Sequence, residues 1–207
     1  KLTPAGVLST LHRFVGGGTD GAGPRGTLVQ LADGTLYGAT IGGGANFVGT
    51  IFKLAPDGTA FAIAHAFDST DFAPLSNLQL LLASDGNIYG TLIASSSASG
   101  GGLPPVGGIY QLTPAGVFSR TFTFDLSLGS PTAPFGALPN SGLIQGSDGN
   151  LYGTTQCGTD NCDGVGGTVF KLATGLPATT PTVAISLDKA SISLGGSATL
   201  TWTSINA

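Results

Sequence analysis

The chain has 207 residues, a net charge of −4 and only 9% charged residues, against a typical share of about 25%. Gly numbers 35, all eleven acids are Asp, and neither Glu nor Met occurs. With 41% hydrophobic residues this is not a charged, disordered tail, its irregular Gly clusters exclude collagen, and four Lys with no Glu leave little from which to build a helical bundle.

An all-β protein of short strands and Gly-rich turns is therefore expected. Seven scattered Lys and Arg make no basic stripe, so no nucleic-acid partner is expected. No apolar run reaches the roughly 18–20 residues of a membrane span. The chain carries 18 Ser and 25 Thr, no charge between Gly86 and Ser119, and two close cysteines. That composition points to an extracellular or cell-surface location. The missing Met leads to the expectation of a processed form or a fragment, with any signal segment upstream of the opening KLTPAG.

Three markers recur in fixed order. The first is KL or QL before a turn, with its Leu at Leu2, Leu54, Leu112 and Leu172, spaced by 52, 58 and 60 residues. The second is apolar-Tyr-Gly at Tyr37, Tyr89 and Tyr152. The third is Asp-Gly at Asp33, Asp85 and Asp148, always four residues before that Tyr. In chain order the first copy reads as strands at 7–14, 26–32, 35–40 and 49–55. The second reads as FAIAHAF, LQLLLAS, NIYGTL and GIYQLT, and the third as VFSRTFTF, GLIQGS, NLYGTT and GTVFKLA. Asp-Gly between two strands predicts a type I′ hairpin turn, with φ positive at both residues. Four antiparallel strands per repeat of this length is the period of a β-propeller blade. Three blades, at about 7–58, 59–115 and 116–173, make an incomplete ring, since propellers close with about 4–8.

The pattern P-x-x-x-L-I-Q-x-S-D-G-N-L-Y-G-T-T … G-G-T-V-F-K-L, seen over 139–172, resembles the Gloeobacter/Verrucomicrobia-type tandem repeat. The resemblance covers roughly residues 1–173. It implies an exported bacterial surface protein built of such repeats, and it carries no catalytic residue across. Beyond it, 174–181 reads as a Pro/Thr linker. Residues 182–207 resemble the opening strands of a bacterial Ig-like domain, too few for a sandwich of about 100 residues. The strands near 182–187 and 198–203 are expected to pair with β-structure from outside the blades of this chain.

Few residues suggest chemistry. Cys157 and Cys162, in QCGTDNCDG, are expected to form a disulfide closing a short loop. Their C-x-x-x-x-C spacing suits neither a redox pair nor a zinc site lacking His. Asp160, Asn161 and Asp163, like Asp68 and Asp71, have loose calcium-ligand spacing without the full ligand frame, and read as polar turns. His12 and His65 hold equivalent places and read as packing or edge residues. Asp33, Asp85 and Asp148 are explained by their turns rather than as glycosidase acids. Gly42, Gly43 and Gly44, and Gly100, Gly101 and Gly102, lack the Lys and helix of a phosphate loop. The Tyr series reads as inter-blade packing rather than a sugar-stacking platform. No G-x-S-x-G nucleophile elbow occurs.

No enzyme and no cofactor are expected. The expected function is structural: self-association into surface fibres or a surface layer. The alternative is an adhesin that binds glycans or proteins through the loop after each Tyr marker. From Tyr to the next Leu marker that stretch spans 17, 23 and 20 residues.

Overall fold

The structure is a computed structural model describing residues 1–71, 78–93, 107–124, 136–158, 166–176, 182–187 and 200–205. It is all-β, and no helix occurs among the described residues. A first sheet runs in the order β1 (Gly21–Gln30), β2 (Leu36–Gly43), β3 (Thr50–Leu54), β4 (Ala62–Ala66). A second runs β5 (Leu81–Leu82), β6 (Ile88–Ile93), β7 (Gly107–Leu112), β8 (Phe118–Phe124). A third has β9 (Ile144–Gln145), β10 (Leu151–Thr155) and β11 (Thr168–Leu172). β12 (Thr182–Leu187) and β13 (Leu200–Ile205) form a separate antiparallel pair.

One sequence expectation is corrected here. Residues 7–14 do not form a strand. They make one isolated bridge, Leu2 to Leu8, and the first sheet is completed instead by β4 from the next copy. The reason is the missing partner. β4 pairs along β3 and β8 along β7, whereas only Lys1 and Leu2 lie beside residues 8 and 9. The first and second sheets thus straddle the boundary between two sequence copies, one strand out of phase with the repeat. The C-terminal strands lie outside the three sheets: β12 and β13 pair with each other, Thr182 opposite Ile205 through Leu187 opposite Leu200.

The hairpin turns are corrected as well. At Asp33-Gly34, Asp85-Gly86 and Asp148-Gly149 only the Gly has positive φ, at 88°, 78° and 82°. The Gly N–H donates to the carbonyl three residues back: Leu31, Ala83 and Gly146, each at 2.9 Å. This is a type I turn followed by a left-handed Gly, the three-residue hairpin loop, not type I′. The same turn recurs at Thr3–Gly6, Ala55–Gly58 and Thr113–Gly116, where Pro4, Pro56 and Pro114 take the position that suits a fixed φ. Asp tightens it from the side. Its Oδ1 accepts the N–H two residues on, from Thr35 (2.9 Å), Asn87 (3.0 Å) and Asn150 (3.1 Å).

Successive sheets share cores. One buried cluster joins Tyr37, Ala39 and Ile51 of the first sheet to Ile88, Leu92, Tyr110 and Leu112 of the second. Another joins Tyr89, Ile109 and Phe124 of the second to Leu151 and Phe170 of the third. The Gly of each Tyr-Gly marker makes this packing possible. Gly38, Gly90 and Gly153 sit opposite Phe52, Tyr110 and Phe170 on the neighbouring strand. In each case a Cβ would fall into that aromatic ring. The marker therefore reads as a Tyr filling the core beside a Gly that makes room for the next strand's ring.

Candidate functional site

The most organised polar and aromatic groups lie where successive copies meet. In the first junction His12 stacks on Phe61, with ring centroids 3.8 Å apart and planes 3° apart. In the second, His65 stacks on Phe118 at 3.8 Å and 5°. Each imidazole Nε2 lies against a carboxylate that follows it in sequence: Asp20 Oδ1 at 3.1 Å and Asp71 Oδ2 at 2.8 Å. The Phe two residues after each His packs edge-on to it: Phe14 at 4.7 Å and Phe67 at 5.1 Å. That Phe also meets the aromatic opposite the marker Gly, Phe14 on Phe52 and Phe67 on Tyr110. Phe61 and Phe118 are thus plugs, each in a socket of three rings: His12, Phe14 and Phe52 for one, His65, Phe67 and Tyr110 for the other.

Asp20 anchors the first junction. It is 6% exposed and also accepts the Val15 N–H at 2.8 Å and the Gly21 N–H at 2.7 Å. Burial alone would raise its pKa. The bonds from Val15, His12 and Gly21 outweigh burial and hold it below the usual carboxylate value. Its place in the junction was not read from the sequence. The available signal was its recurrence: an Asp follows His12 by eight residues and His65 by six.

The third junction departs from the pattern. Phe122 stands where the His would be, edge-on to Phe124 at 5.0 Å, and Phe124 meets Phe170 at 5.0 Å. A cavity of about 280 Å³ opens here, lined by Ile109, Phe122, Phe124, Phe170 and Leu172 among others.

The other sequence candidates divide clearly. Tyr37 and Tyr89 are each 4% exposed, in packing positions, and Tyr152 is half-buried. The Asp of each marker faces its Tyr rather than any second acid. Asp148 Oδ2 accepts Tyr152 OH at 2.7 Å and Lys171 Nζ at 3.0 Å. The bond from Tyr152, with those from Asn150 and Lys171, holds its carboxyl well below the usual range. Tyr89 OH donates to Asp85 at 3.0 Å. Burial first, and then that carboxylate, push the phenol up to about 12. Asp68 Oδ1 caps a turn through the Thr70 N–H at 2.7 Å.

Gly42 and Gly43 end β2, and the Gly44 N–H donates to the Gly17 and Asp20 carbonyls. Gly100, Gly101 and Gly102 lie outside the described residues, as do Asp160, Asn161, Asp163 and Cys162. Cys157 is 5% exposed, pairs by backbone with Ala137, and is not a free thiol. Among the described residues no three His, Cys, Asp or Glu side chains group as a metal site. Nor is there among the described residues a helix long and apolar enough to cross a membrane.

Sheets of one design, joined by recurring aromatic junctions, define an all-β tandem-repeat protein. The chain belongs to the Gloeobacter/Verrucomicrobia repeat family, whose model matches residues 1–201. The match runs past residue 173, through β12 and into β13, across the stretch assigned from sequence to a linker and an Ig-like segment. No curated protein matches the chain.

Proposed function

We propose that the chain is a non-enzymatic, extracellular structural protein whose sheets are blades of the β-propeller type and which self-associates into surface fibres or a surface layer. One observation carries the reading: apolar side chains stand in solvent at both ends of the row of sheets. Before the first sheet Leu2, Val7, Leu8 and Val15 are 68%, 61%, 79% and 82% exposed. On the third sheet Ile144 and Val169 are 65% and 80% exposed. A secreted protein of such low charge has little electrostatic repulsion to oppose association through these ends. The extracellular placement rests on composition and on the cysteine pair. Negative-stain electron microscopy of the purified chain tests the proposal. Fibres or sheets are expected, and monodisperse single particles at every concentration would refute it.

A second reading, an adhesin for glycans or proteins, is favoured by one loop. Phe47, in the connection between β2 and β3, is 68% exposed and held at φ 59°. A ring presented to solvent on a left-handed residue suits contact with a ligand. Binding of the chain to a glycan array, lost on Phe47→Ala, would favour this reading over the first.

A further inference from the structure

The third junction has a socket, and the N-terminal segment has a plug. Counting back four residues from His12, His65 and Phe122 places Leu8 where Phe61 and Phe118 stand. Both of those rings are seated against three others. Leu8 is 79% exposed. The equivalent socket, beside Phe124 and Phe170, holds the cavity of about 280 Å³. The strands tell the same story. β4 and β8 follow the KL/QL marker and pair with β3 and β7. Residues 7–14 follow the same marker but, beyond the turn bond from Thr3 to Val7, pair with Lys1 and Leu2. Among the described strands β11, the counterpart of β3 and β7, is an edge strand bonded to β10 alone.

Resting on the self-associating reading, we propose that residues 7–14 of a second copy of this chain add to the edge of β11, with Leu8 filling the socket beside Phe124 and Phe170. The register follows from β7 and β8, where Leu112 faces Phe118 and Ile109 faces Phe122. It puts Leu172 opposite Leu8 and Val169 opposite His12. Lys171-Leu172 then takes the place that Lys1-Leu2 holds within one copy. The displaced pairing is the Leu2–Leu8 bridge with two bonds between Lys1 and Ser9, at 2.7 and 2.8 Å. The incoming dipeptide is the same, with the amide N–H of Lys171 taking the place of the Lys1 terminal ammonium. The remainder of β11 adds ladder bonds to residues 10–14 that one copy alone does not make. Main-chain pairing supplies affinity and the plug supplies register. A head-to-tail contact of this kind builds a ring if its rotation closes and a filament if it does not.

The test uses the whole chain. Sedimentation across concentrations is compared for the wild type and Leu8→Asp. Because Leu8 is exposed in the single copy, the melting temperature of the dilute variant is expected to stay unchanged. Its assembly is expected to weaken by at least about tenfold, since a charge placed in an apolar socket is strongly opposed. In parallel, isotopically distinct Leu8→Cys and Leu172→Cys chains are mixed, oxidised and mapped by peptide mass spectrometry. A cross-link between position 8 of one isotope and position 172 of the other is expected. If the wild type assembles while Leu8→Asp assembles equally well and no such cross-link forms, this junction is wrong and self-association stands. If the wild type stays monomeric throughout, both fall.

Discussion

Gly90→Ala tests the packing logic of the repeat directly, because two physical effects of opposite sign meet there. Gly90 lies inside β6 without positive φ, so Ala meets no backbone strain. Removing a Gly from a strand stiffens the unfolded chain and on its own stabilises by about 0.4–1 kcal/mol. Against this, the new Cβ would fall into the Tyr110 hydroxyl and ring. That ring cannot swing aside. It is 1% exposed, stacks on Phe118 at 5.3 Å and meets Phe67 at 6.0 Å. Forcing extra volume into such a core costs about 1–3 kcal/mol. The clash wins, leaving the variant about 1–2 kcal/mol less stable. For a chain of this size that lowers the melting temperature by about 2–8 °C. Gly18→Ala is the control, since it has neither positive φ nor any heavy atom within 4 Å of the added Cβ. It is expected to be neutral or slightly stabilising. Differential scanning calorimetry of the three chains decides the matter. A melting temperature for Gly90→Ala equal to or above the wild type would refute the account of why Gly follows Tyr in every copy.

Further outcomes follow from the junctions and turns. His65→Phe imports the residue that the third copy carries at Phe122 and keeps the stack on Phe118, so its stability should stay within about 1 kcal/mol of wild type. His65→Ala removes a ring from a socket and should cost about 1–3 kcal/mol by urea denaturation. Asp148, with its pKa depressed by Tyr152, Asn150 and Lys171, contributes stability that is present above the unfolded carboxylate pKa of about 3.9 and lost as pH falls through the lower folded value. Acid titration of the melting temperature should therefore show a decline below about pH 4, shallower in Asp148→Asn. Unreduced mass spectrometry should find residues 157 and 162 linked, with the chain about 2 Da lighter than its reduced form, as two hydrogens leave when the bond forms. Two alkylatable thiols in the native protein would contradict this.

Much of the fold was legible in the sequence because it rests on short-range rules. Asp-Gly and Pro-x-Gly punctuate hairpins, and alternating apolar residues between them make strands. The turn type was not legible from Asp-Gly alone. The loop has three residues rather than two, and that length is set by the main-chain bonds from Leu31 and Gly34. The grouping of strands into sheets was hidden for a deeper reason. A meander of equal hairpins has no local mark that separates one sheet from the next. The break falls after β4 and after β8, and that depends on packing between sheets. His12 and His65 were read as packing residues, and they do stack. Their partners are harder to read, because the Asp recurs at a shifted offset in an irregular loop and Phe61 lies in the following copy.

The phase shift between sequence repeat and sheet has a consequence for how the copies cohere. If each copy formed its own sheet, neighbouring sheets would be held only by face-to-face packing. Because β4 and β8 lie across the copy boundary, the second and third copies are bonded by main-chain ladders into the sheet before them and by aromatic contacts onto the sheet after them. Pulling two copies apart must then break a ladder as well as empty a socket, and both losses fall on the same strand. His65 sits on β4, where its bond to Asp71 ties the following turn to the ring. The third copy has Phe122 in place of the pair, packed against the buried cluster that holds Phe124 and Phe170. Either chemistry serves, because what the junction requires is a flat ring held at a fixed height above the next sheet. A bonded imidazole and a packed phenyl both meet that requirement.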